Sequence, residues 1–131
     1  MDDMIHLARI MMTRAYAPYS KFHVGAVMRA EDGSIHGGCN VENAAYPQGL
    51  CAEASAIAAL IGAGQRRVIE CVVMGGGPEV ISPCGGCRQK LREFAADDMM
   101  VHLCGPDGLH RSVTLGQLLP LSFGEHNLGR G

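Results

Sequence analysis

Apolar residues recur every three to four positions at the start of the chain, where Met4, Ile5, Ala8, Met11, Met12 and Ala15 share one face. Asp2 and Asp3 precede them in a first turn, where the helix dipole favours negative charge. The pattern predicts a helix over about residues 2–16, ended by Pro18. The period then falls to two. In KFHVGAVMRA, Phe22, Val24, Ala26 and Met28 share one strand face, and the turn signal EDGS leads into IHGGCNVEN, predicting a hairpin with its open end at residues 40–43. A second helix is expected from about Leu50 to Gly62 or Gly64, and its six alanines permit close approach to neighbours.

VIECVVM, residues 68–74, is a short β-branched run bounded by glycine, as expected of a strand buried on both faces. SPCGGCRQKLREFAA predicts a third helix with Ser82 as N-cap, Pro83 as first helical residue, and an apolar stripe of Cys87, Leu91, Phe94 and Ala95. MMVHLC and LHRSVT read as two strands around the turn GPDG, LGQLLPLSF as a brief helix, and residues 124–131 as a frayed tail. Alternating strands and helices without a repeat predict an α/β fold, three-layer α/β/α, in one domain spanning 1–131.

Charge narrows the partners. Eleven basic and thirteen acidic side chains give a net charge of −2 with no basic stripe, which argues against a nucleic-acid backbone. No stretch approaches the ~18 apolar residues of a membrane span, and MDDMIHLARI carries acids where a secretory signal carries bases, so a soluble, cytoplasmic protein is expected. Six cysteines in such a chain point to reduced thiols or a metal.

Their spacing suggests a metal. Cys51 opens the second helix, and Cys84 and Cys87, three apart at the start of the third, lie on one side and can grip one ion. Helix N-termini also favour the thiolate that zinc requires. A lone C-x-x-C is equally a redox pair or half of a four-cysteine structural site. Yet Cys39, Cys71 and Cys104 show no paired spacing, and the last two sit in apolar strand patterns as small hydrophobes. Three ligands with an open position are the plan of a catalytic zinc, which acidifies a water and needs a proton carrier beside it. Glu53, two residues past Cys51, answers that need, although a Glu in a first helical turn ordinarily caps the helix. The pairing of C-x-E with P-C-x-x-C is the signature of zinc-dependent deaminases.

With APYSKFHVGA, GCNVENAAYP, CAE and SPCGGCRQ in this order, the chain from roughly Tyr16 to Phe123 resembles the small homo-oligomeric cytidine deaminases. The resemblance implies a mixed five-stranded sheet with helices on both faces and a homotetramer with shared sites. It implies hydrolytic deamination of cytidine and 2'-deoxycytidine in pyrimidine salvage. One Zn²⁺ per subunit is expected on Cys51, Cys84 and Cys87, with Glu53 as proton carrier. Asn40 and Glu42, two apart at a strand end, can bracket a polyol, and the matching family pair holds the sugar hydroxyls. Phe22 matches an aromatic packed on the pyrimidine, Ala52 joins the substrate contacts, and Tyr46 and Phe123 match aromatics reaching a neighbouring subunit's site.

One position departs from that pattern. Ala54 stands where many relatives with three zinc-binding cysteines have an arginine bonded to the thiolates, leaving the backbone N–H groups of the two helix starts, Ser55 and Arg88 as candidate substitutes. The rival readings are deamination of a different aminopyrimidine, a structural zinc module with a fourth ligand, and polynucleotide editing.

Overall fold

The computed structural model describes residues 1–129. Helix α1 spans Asp2–Arg14. It stops two residues short of the sequence expectation because the chain turns extended at Ala15 (ψ 140°), freeing Tyr16 to bridge Val41. Strands β1 (Val24–Ala30) and β2 (Ile35–Cys39) form the expected hairpin; Phe22 precedes the first strand. Then follow α2 (Ala52–Gly62), β3 (Val68–Gly75), α3 (Gly85–Phe94), β4 (Met100–Gly105), β5 (Gly108–Thr114) and α4 (Leu115–Leu118).

The sheet is five-stranded and mixed, in the order β2-β1-β3-β4-β5, with β3 and β4 parallel and the other pairs antiparallel. Side chains alternate across it. Ala26, Met28, Cys71, Val73, Val101 and Leu103 form one core with Ala52, Ala56 and Leu60 of α2 and Leu91 of α3. Val27, Val72, Met74 and Cys104 point the other way, onto Met4 and Ala8 of α1. Three layers result, and β3 is buried on both faces as its composition required. The thiols of Cys71 and Cys104 lie inside these cores as small apolar groups.

Gly38 on β2 lets α2 rest directly on the strand. A Cβ there would lie 2.4 Å from the backbone nitrogen of Ala56 and 2.7 Å from Ser55 Oγ, inside van der Waals contact. A row of polar side chains crosses the sheet at a different level. Arg29 donates to Asp3 of α1 (2.7 Å) and to Glu70 (3.3 Å), whose second oxygen accepts from His102 Nε2 (2.7 Å); His102 Nδ1 then meets Ser112 Oγ (2.8 Å). Burial works to raise the Glu70 carboxyl, but the hydrogen bonds from His102 and Arg29 outweigh it and hold it below the ordinary range. His102, 5% exposed, is thus a satisfied core histidine.

Three other boundaries differ from the sequence reading. The N-cap of α3 is Cys84, not Ser82, and Pro83 lies ahead of the helix; Ser82 Oγ and the Pro83 carbonyl instead accept from the Arg88 guanidinium. Helix α4 is shorter than expected because Pro120, which cannot continue a helix, follows a Thr114–Gln117 capping box after one turn. Of the tail expected to fray, Glu125–Leu128 form a 3-10 turn in which Asn127 Oδ1 accepts from the Gly124 N–H (2.9 Å); residues 130 and 131 lie outside the described residues. Among the described residues no helix is long and apolar enough to cross a membrane.

Candidate active site

The site forms where the chain leaves the sheet and enters two helices. Val41 is bridged on both sides. Tyr16 donates to the Asn40 carbonyl and accepts from the Glu42 N–H, while Val41 and Leu50 exchange N–H to carbonyl bonds of 2.9 and 2.8 Å. These pairings carry Asn40 and Glu42 to the chain segment that ends at Cys51. Cys51 is the N-cap of α2 and Cys84 the N-cap of α3, with Cys87 inside the first turn of α3. The two helix starts bring Sγ of Cys51, Cys84 and Cys87 within 4.8 Å of one another.

That spacing suits zinc, since ligands at ~2.3 Å around a tetrahedral ion stand roughly 3.8 Å apart. The donor set is also right in kind: soft thiols match zinc, and among the described residues no fourth His, Cys, Asp or Glu joins the group. The ionisation of the thiols is less uniform than helix N-termini alone would make it. Burial pushes up Cys51 and, much further, Cys87, while the backbone N–H of Cys87 lowers Cys84. A divalent cation supplies the missing stabilisation by its own charge and releases protons as it binds.

Glu53 lies in the first turn of α2, two residues past Cys51, and is 5% exposed. Burial drives its carboxyl above the ordinary range, against the pull of its own backbone N–H, the Cys87 thiol and the charge of Lys90. A capping Glu is solvated; this one is enclosed beside three thiols.

Asn40 and Glu42 each hold the loop that carries Phe22. Asn40 donates to the Phe22 carbonyl (2.8 Å) and accepts from the Val24 N–H (2.9 Å). Glu42 accepts from the N–H groups of Tyr19 (3.0 Å) and Ser20 (3.1 Å) and from the Ser20 hydroxyl. These bonds keep the Glu42 carboxylate below its ordinary range, the Ser20 hydroxyl acting most strongly. The Phe22 ring lies over the end of β3, where a side chain on Gly75 would come within 3.1 Å of it. Sequence reasoning missed Ser20, whose one signal is its place two residues before Phe22 in PYSKF.

A pocket of about 420 Å³ adjoins Glu42, lined by Tyr19, Ser20, Asn43, Tyr46 and Gly49, with Tyr19 and Tyr46 edge to face at 6.3 Å. Ala52 is buried beside the thiols, whereas Tyr46 (77% exposed) and Phe123 (58%) stand outside the core. Gln89 donates to the Phe123 carbonyl (2.9 Å), tying the C-terminal segment to α3. The two side chains considered as substitutes for an arginine at position 54 point elsewhere. Arg88 is engaged by Ser82 Oγ and by the carbonyls of Pro83 and Leu118, and Ser55 Oγ faces Gly38 on β2.

Residues 1–103 match the family model described as the cytidine and deoxycytidylate deaminase zinc-binding region. The cytidine deaminase of Sporosarcina psychrophila is 42% identical over 115 residues, 88% of this chain and 85% of that protein. That of Mycobacterium tuberculosis is 40% identical over 116 residues, 88% of this chain and 84% of that protein. The crystal structure of the Burkholderia pseudomallei cytidine deaminase superposes with a TM-score of 0.87 at 39% identity, covering 93% of this chain and 98% of that one. The Mycobacterium tuberculosis structure does so at 0.82 and 37%, covering 94% and 96%. The family model spans residues 1–103 and these relatives match most of the chain, whose own two helix starts converge on three thiols, so the chain belongs to the cytidine and deoxycytidylate deaminase family.

Proposed function

We propose that this chain hydrolyses cytidine and 2'-deoxycytidine to uridine and 2'-deoxyuridine, releasing ammonia, as one deaminase domain with one zinc ion held by Cys51, Cys84 and Cys87. The observation that carries this reading is a buried carboxylate, Glu53, enclosed beside three convergent thiols with no fourth ligand among the described residues. A zinc ion held by the three thiols would acidify a bound water toward neutral pH.

The chain's own residues do the rest. Glu53 removes a proton from the attacking water and delivers it to N3 of the pyrimidine as oxygen bonds to C4. The new C4 hydroxyl then surrenders its proton to Glu53, which passes it to the amino group, and ammonia leaves as the carbonyl forms. Enclosure keeps the carboxyl poised between base and acid. Phe22 packs on the ring, Ala52 lines the pocket, and Asn40 and Glu42 offer their remaining hydrogen-bonding capacity to the sugar hydroxyls.

The same reading places Tyr46 and Phe123 against a neighbouring subunit's site in a homotetramer. Their exposure, with that of Leu121 and Leu128 (70%), supports this placement, since it leaves both rings open to a neighbouring chain. We place the enzyme in cytoplasmic pyrimidine salvage, acting on free nucleosides, a choice that the net charge of −2 supports over a polynucleotide substrate.

Ammonia release from a panel of cytidine, 2'-deoxycytidine and free cytosine tests the proposal. Both nucleosides are expected to turn over. Free cytosine is expected to fall by about 100-fold or more in kcat/KM, because it leaves polar groups at Asn40 and Glu42 unpaired. Equal turnover of cytosine and cytidine would remove the sugar-binding role of that pair.

A further inference from the structure

Three thiolates around a divalent cation leave a net negative charge, and positive charge nearby strengthens both metal affinity and the acidity of what the metal binds. Ala54 supplies no such charge, Arg88 is committed to Ser82, Pro83 and Leu118, and Ser55 turns toward β2. Beyond the backbone N–H groups of the helix starts, the side chains that remain lie in the cleft between α2 and α3, a space of about 450 Å³ where Ala54, Ile57 and Ala58 face Gln89, Lys90 and Glu93.

Lys90 is the cation in that cleft. It follows Cys87 by three residues and Gly86 by four, so on α3 it shares their face one turn on. Its side chain folds back toward the start of the helix: a methyl group on Gly86 would stand 3.7 Å from Lys90 Nζ. Among the described residues no carboxylate lies within 4.0 Å of that ammonium, although Glu93 shares the cleft. Its charge is also felt at Glu53, where it works against the effect of burial on the carboxyl.

We propose that Lys90 is the counter-charge of the zinc site, its ammonium folded back over Gly86 to offset the thiolates across the cleft that Ala54 leaves open. It acts through the sulfur ligands and does not touch the nucleoside. An ammonium is a compact, strongly hydrated point charge, so an exposed one acts by its field, and salt must weaken its effect. A cation reaching in from position 54 on the facing helix is an equivalent solution, so the two positions should be interchangeable.

This role presupposes the zinc site proposed above, and competition for zinc against a chromophoric chelator separates the two. Lys90→Met is expected to bind zinc about threefold to tenfold more weakly than wild type at low ionic strength, with the gap closing at high salt. Lys90→Arg is expected to stay within about twofold of wild type, and Ala54→Arg to restore the loss when combined with Lys90→Met. Lys90→Met binding zinc as wild type does at low salt would overturn the role of Lys90 alone. So would a loss that high salt leaves unchanged or that Ala54→Arg does not rescue. Equal competition by wild type and Cys84→Ser would overturn the zinc site and this role with it.

Discussion

Replacing Glu53 with Gln is expected to lower cytidine turnover by about 10²–10⁴-fold, the contribution of a well-placed general acid and base, and to leave zinc content at one per chain. Gln preserves volume and hydrogen-bonding capacity but cannot accept the proton of water or return it to N3 and the amine. Because Glu53 is 5% exposed, the ionised carboxylate is a cost to the folded state. The neutral amide removes that cost, so the thermal midpoint of Glu53→Gln is expected to equal or exceed that of wild type. A residue kept only for helix capping predicts the reverse on both counts: turnover retained and stability lost. Steady-state kinetics, metal content and a melting curve on one preparation decide between them.

A large effect on stability is expected at Gly38, where α2 rests directly on β2. An added Cβ at 2.4 Å from the Ala56 nitrogen meets helix backbone, which cannot turn aside as a flexible side chain can. Gly38→Ala must push α2 off β2, at a cost toward the upper end of the ~1–3 kcal/mol typical of overpacking. For a domain of this size the thermal midpoint should fall by roughly 10 °C. Cys51 and Glu53 ride on the start of α2, so zinc affinity and turnover are expected to fall with it. A midpoint within 2 °C of wild type, read by circular dichroism, would mean that the close approach of α2 and β2 is not required.

Periodicity located all five strands and the three long helices because burial imposes it: alternation in β1, β-branched density in β3, and a stripe of Cys87 and Leu91 in α3. The ends were less legible. Ser82 and Pro83 have the chemistry of a helix start, yet Arg88, one turn later, takes Ser82 Oγ and the Pro83 carbonyl as partners and leaves capping to Cys84. Spacing pointed to the three thiols that the structure brings within 4.8 Å of one another, since an i, i+3 pair of cysteines lies on one side of a helix. It could not show that the pair at Asn40 and Glu42 also clamps the Phe22 loop, because those bonds run to Val24, Tyr19 and Ser20 from across a hairpin. Nor could it show that Lys90 folds back to Gly86, which is a matter of rotamer and of the room left by a glycine.

The central claim is that one zinc on Cys51, Cys84 and Cys87 makes this chain a cytidine deaminase. It is tested most directly by stripping the protein of metal, adding zinc in steps, and following the loss of cytidine absorbance beside bound zinc. Turnover is expected to be negligible without zinc, to rise linearly, and to stop rising at one zinc per chain. Full turnover in the stripped protein, or zinc bound at one per chain with cytidine untouched, would contradict it.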